Sequence, residues 1–183
     1  QCVNPVDKIG STTGIAIGYV QSGKTMSFTT LTALAIDNGF RIVIYFAGIK
    51  NNLLEQTTKR LKKDLLTDSD NARRFKVYQS PSVADDIHIK IQQALKLSHK
   101  PAILITVLKH YKHIGELTKI FKKPELQSVL GNSGVMIIDD EADQASLNTY
   151  ARKNSKSEEW GEDEFSSTYS SILDLRAVFS NHS

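Results

Sequence analysis

The residues Gly18-Tyr19-Val20-Gln21-Ser22-Gly23-Lys24-Thr25 follow the apolar stretch Gly14-Ile15-Ala16-Ile17 and have the pattern G-x-x-x-x-G-K-T. This restricts the fold, because such a loop needs a buried strand to deliver it and a helix to begin at its end. Backbone N–H groups and the helix dipole then converge on a polyphosphate. Residues 15–17 read as that strand. Residues 26–36 read as that helix, with apolar positions at Leu31, Leu34, Ala35 and Ile36. Gly18 and Gly23 permit positive φ and a close backbone approach to oxygen atoms. Gln21 and Ser22 complete the cradle. Lys24 is placed to reach the β- and γ-phosphates, and the Thr25 hydroxyl to ligate Mg²⁺. A glycine-rich turn with a solvated lysine would explain the string alone. A second motif argues for a site that binds ATP with Mg²⁺.

That motif is Val135-Met136-Ile137-Ile138-Asp139-Asp140-Glu141-Ala142-Asp143. Consecutive apolar residues bounded by Gly134 and a run of acids read as a fully buried strand of a parallel sheet. Carboxylates at the carboxyl end of such a strand lie at the rim where ligands bind in open α/β sheets. One acid there can hold Mg²⁺ and the next can orient or deprotonate an attacking water. Helix capping explains one or two acids at such a position, but not Asp139, Asp140, Glu141 and Asp143 together.

The loop and the tetrapeptide Asp140-Glu141-Ala142-Asp143 together resemble the first motor lobe of superfamily 2 helicases and translocases. The chain is still more similar to the Z-one domain, a family of helicase-like ATPases associated with predicted endonucleases and restriction-like systems. The matching stretches are the 18–25 loop, Ala47-Gly48-Ile49-Lys50-Asn51-Asn52-Leu53 with Gln56-Thr57, and residues 137–146. The resemblance covers most of 14–149. It implies an α/β fold, a three-layer α/β/α RecA-like P-loop lobe with a mostly parallel sheet. It also implies ATP hydrolysis, with Lys24 and Glu141 as catalytic groups, and nucleic acid as partner, DNA before RNA. A second motor lobe and a nuclease domain or subunit are the implied neighbours. Asp139 makes the acidic run one residue longer than the minimal D-E-x-D form. Asp139 and Asp140 are therefore alternatives for the metal, and the helicase alignment favours Asp140.

At 183 residues the chain fits one α/β domain with a proper core. Its one cysteine, Cys2, cannot form an internal disulfide, and no secretory signal or apolar 18-mer is present. A reducing, cytoplasmic setting without a membrane is the expectation. The net charge of +3 argues little about nucleic acid. Lys50, Lys59, Arg60, Lys62, Lys63, Arg73, Arg74 and Lys76 cluster in one stretch, although such runs are usually solvated helix faces.

Strand and helix patterns alternate, the signature of a parallel sheet covered on both faces. Residues 41–46, 75–78 and 102–106 read as strands. Helices are expected from Asn51 or Asn52 (as cap) through Leu65, from Ser82 to Leu97, over 110–121, and over 172–179. Residues 151–171, polar and serine-rich around Trp160, read as an exposed loop or insertion.

Two strand exits are candidates for gripping a phosphate backbone. One carries Lys50, Asn51 and Asn52, and the other carries Lys109. His110 and His113 lack a third ligand nearby for zinc, and no nucleophile-elbow motif is present. Two function classes remain, an ATP-hydrolysing motor lobe and a P-loop switch or assembly module that does not translocate. The chain begins at Gln1, and no S-A-T or T-A-T follows the acidic motif. The resemblance therefore implies a partial lobe, poorly active alone, that awaits a further strand and an arginine from a second lobe.

Overall fold

The computed structural model describes residues 12–15, 24–67, 72–131, 133–142 and 166–180. In chain order these form α1 (Lys24–Asp37), β1 (Phe40–Ala47), α2 (Asn51–Asp64), β2 (Phe75–Gln79) and a 3-10 turn (Val83–Asp85). They continue with α3 (Ile87–Lys96), β3 (Ala102–Val107), α4 (Tyr111–Phe121), α5 (Pro124–Leu130), β4 (Gly134–Asp140) and α6 (Ser167–Ser180). The strands make one sheet in the order β2-β3-β1-β4. Every pairing is parallel, with Tyr45 opposite both Thr106 and Ile138, and Ala47 opposite Asp140.

The two central strands have the most continuous apolar sequences, as burial on both faces requires. Residues 42–47 of β1 and all of β3 are buried. Alternation along the strands divides the core in two. Ile42, Ile44, Phe46, Ile103, Ile105 and Val107 face α3, α4, α5 and α6, with Val135 and Ile137 packed against them. Val43, Tyr45, Leu104 and Ile138 face α1 and α2, together with Met136. Each such aliphatic side chain contributes roughly 1.5–3 kcal/mol by leaving water. The result is the three-layer α/β/α architecture expected of a RecA-like lobe.

Several local expectations are corrected. Ile15 is 87% exposed and the described residues 12–15 have no regular structure, so Ile15 does not enter the sheet core. β4 pairs directly with β1 on that side. Residues 16 and 17 of the expected strand lie outside the described residues. In α1, Leu31 and Leu34 are exposed, while Thr29, Thr32, Ala35 and Ile36 are buried. Thr32 can turn inward because its hydroxyl is satisfied by the Phe28 carbonyl at 2.8 Å and by the Tyr45 hydroxyl.

Lys50, not an asparagine, is the N-cap residue of α2. The helix expected from Ser82 is split. Ser82 and Asp85 cap the 3-10 turn reciprocally, and Asp86, with φ 50°, breaks the helical path before α3. α5, a helix that the apolar pattern does not announce, begins with Pro124 in the first turn, where a missing N–H does no harm. α6 starts at Ser167, inside the segment expected to be loop, and the rest of that segment, 151–165, lies outside the described residues. On α2 the solvated reading of the basic run is the right one. Lys59, Arg60 and Lys63 are exposed, and Arg60 pairs with Asp64 at 3.6 Å.

Candidate functional site

Parallel strands bring all their exits to one edge, and here β1, β3 and β4 lie side by side. The exit of β1 turns at Gly48, whose φ of +72° lies in the left-handed region. A Cβ added at Gly48 would lie 2.8 Å from Leu53 Cδ1 and 3.3 Å from Glu141 Oε2. Glycine is therefore favoured twice, by its backbone and by the close approach of the Leu53 side chain, with the Glu141 carboxylate also near.

The exit of β3 leads to Lys109, a cation whose side chain has no exposed surface. Its backbone N–H donates to the Gly48 carbonyl at 2.8 Å. Its ammonium donates to the carbonyls of Asp140 at 2.6 Å and Glu141 at 2.7 Å. Asp139 Oδ1 lies 2.6 Å from the same nitrogen, as an ionic contact off the direction of a hydrogen bond. Two of the three protons an ammonium can donate go to these carbonyls, and the charge is paired with Asp139. The Lys109 side chain, expected at an open strand exit, is thus buried against the acidic turn instead. A buried charge must be paired, and the pairing is with the acidic turn.

The exit of β4 is that turn. Asp139 shares the parity of Val135 and Ile137, on the face of α3 to α6, and is held by Lys109. Asp140 shares the parity of Met136 and Ile138, on the face covered by α1 and α2. Its Oδ1 accepts the Glu141 N–H at 3.0 Å, and its carboxylate is otherwise uncommitted by any described contact. Glu141 has φ 54°, a region L residues seldom adopt, and this turns its exposed carboxylate toward Gly48. Ala142 ends the described turn, and Asp143 lies beyond it.

α1 brings the last residues of the loop motif, Lys24 and Thr25, to this edge. Only Asn38 and Gly39 separate its end from the start of β1, so the helix runs antiparallel to the strands and its first residue, Lys24, faces their carboxyl ends. The Tyr45 hydroxyl, which contacts Thr32 and donates to the Phe28 carbonyl at 3.5 Å, anchors α1 near the last turn of β1. Burial against this helix pushes the Tyr45 hydroxyl up to about 12, partly offset by the bond with Thr32. Lys24 and Thr25 open α1, so a helix does begin where the loop motif ends. Gly18, Gln21, Ser22 and Gly23 lie outside the described residues.

Lys50, the cap of α2, and Asn51 and Asn52, its first two residues, are exposed just after Gly48, with Asn52 Oδ1 accepting the Leu53 N–H at 2.9 Å. His110 caps α4 through Nδ1, which accepts the Lys112 N–H at 3.3 Å. Among the described residues, no three His, Cys, Asp or Glu side chains converge to hold a metal. No helix among them is long and apolar enough to cross a membrane. Comparisons with protein families, with curated proteins and with solved structures find no match to this chain.

Proposed function

We propose that this chain is the ATP-binding and ATP-hydrolysing lobe of a helicase- or translocase-like protein that acts on nucleic acid, DNA before RNA. One observation carries the proposal. A G-x-x-x-x-G-K-T sequence opens a helix packed on the same sheet face, and directed at the same sheet edge, as Asp140. The end of the loop motif and a carboxylate thus come to one rim from distant parts of the chain, which supports a nucleotide site there. In this scheme Gly18, Gln21, Ser22, Gly23 and Lys24 hold the phosphates, and Glu141 accepts the proton of the attacking water. Thr25 and Asp140 would hold Mg²⁺, which neutralises charge on the phosphate oxygens when bound. One carboxylate and one hydroxyl suffice for an ion that keeps much of its water. Asp139, committed to Lys109, is the poorer metal ligand of the two candidates. A cytoplasmic protein with a second motor lobe and an attached nuclease is the wider setting proposed.

The test is calorimetry and turnover on the full-length protein with ATP and Mg²⁺. Lys24→Ala should weaken ATP binding about ten- to a hundredfold, the worth of a charge-assisted hydrogen bond. Glu141→Gln should bind ATP as wild type does and lose about 10²–10⁴ in turnover. Equal affinity in Lys24→Ala would refute the phosphate site. Binding without hydrolysis in the wild type, with nucleic acid present, would favour a nucleotide switch instead.

A further inference from the structure

The buried ammonium at the sheet edge is more than a structural pair, because of what it holds. Its partners are consecutive residues, Asp139, Asp140 and Glu141, and two of the contacts are to main-chain carbonyls rather than to side chains. Carbonyls that point at one nitrogen fix the peptide planes on either side of Glu141. That residue has the positive φ, and its carboxylate lies against Gly48. A surface turn of Asp-Asp-Glu-Ala has no local reason to hold a left-handed glutamate. The amide of the same lysine is bonded to the carbonyl of Gly48. One residue thus sets the acidic turn and the surface it rests on.

We infer that Lys109 is a positioning residue for hydrolysis, which fixes the acidic turn so that Asp140 and Glu141 reach the nucleotide from set directions while Lys109 itself touches neither nucleotide nor nucleic acid. The inference rests on the proposed ATPase reaction. Asp139 is the counter-ion that makes a buried ammonium tolerable at this point. Without the ammonium, the carbonyls of Asp140 and Glu141 lose their donor and the turn is free to relax. Glu141 then loses its orientation while the phosphate loop and helix α1 stay unaltered.

The experiment uses the full-length protein and two variants, Lys109→Met and the double variant Lys109→Met/Asp139→Asn. The double variant removes the carboxylate that the single change would strand. It keeps the inference testable if the single variant does not fold. Circular dichroism and thermal unfolding establish the fold. In a folded variant kcat for ATP should fall at least about a hundredfold, the usual effect of a catalytic group displaced by about an ångström, with KM nearly unchanged. Nucleic-acid affinity and its salt dependence should match wild type, whereas loss of a phosphate contact would reduce the salt slope by about one. A folded double variant with wild-type kcat would overturn the positioning role. A reduced salt slope would return Lys109 to the nucleic-acid surface and equally overturn the inference. Absence of hydrolysis in the wild type would remove the reaction itself and this inference with it. That result is distinct from an active wild type with an equally active variant.

Discussion

Gly48 and Lys109 are the residues on which the carboxyl edge turns, and the sequence revealed them unequally. Gly48 stands directly after an apolar run, where a tight turn is the natural expectation. Lys109 also follows an apolar run, and a lysine there reads as a solvated strand exit. Its real environment depends on β4 being two strands away in the same sheet. No local pattern encodes that neighbour. The signal that was available is chemical: a lysine in phase with Val107 on a buried strand needs an acid, and the acids end another strand. For Gly48 the test is stability. Gly48→Ala forces a left-handed alanine at φ +72° against Leu53 and Glu141. The expected loss is about 1–2 kcal/mol from the backbone alone. It should be read as a lower denaturant midpoint at unchanged m-value. An unchanged midpoint would mean that the turn relaxes without strain.

Among the elements, the central strands were legible because burial on both faces demands unbroken apolar sequence, as at 41–46 and 102–106. β4 was expected to be fully buried as well, but it lies at the edge of the described sheet and only Ile138 in it is buried. Helix faces were less so. α1 carries leucines on its outer side and threonines within, because side-chain hydroxyls that bond to Phe28 and Tyr45 can be buried cheaply. The break at Asp86 and the short α5 depend on caps and a single proline, which periodicity does not register. The α1–β1 joint makes a further prediction. Tyr45 is raised from 10 to about 12 by burial against α1. A phenol whose folded value lies above its unfolded value stabilises the fold below the unfolded value, and the contribution is lost as pH rises through the folded one. Wild type should therefore lose stability relative to Tyr45→Phe between pH 10 and about 12. The loss should be of the order of 2 kcal/mol, measured by urea unfolding across that range. A pH-independent difference would show that the hydroxyl is not held between the two elements.

At the level of the whole molecule, the alternating pattern was enough to give the layered architecture, but not which strands are neighbours. The site depends on the second. With the order β2-β3-β1-β4, the start of α2, with Lys50, Asn51 and Asn52, borders the acidic turn through Gly48. If that rim grips a phosphate backbone, replacing Lys50, Asn51 and Asn52 together should weaken nucleic-acid binding alike across sequences. It should also reduce the salt slope by about one, for the one lysine lost. Filter binding at several salt concentrations would read this, and ATP affinity should not change. Loss confined to particular sequences would point to base recognition instead. The same strand order has a consequence for how the chain is made. Among the described strands β1 is made first, yet its partner β4 follows β2 and β3. Until Asp139 leaves the ribosome, Lys109 has no counter-ion to be buried with and Gly48 has no carboxylate to meet. The rim where the candidate chemistry lies therefore cannot be complete before β4 has been made.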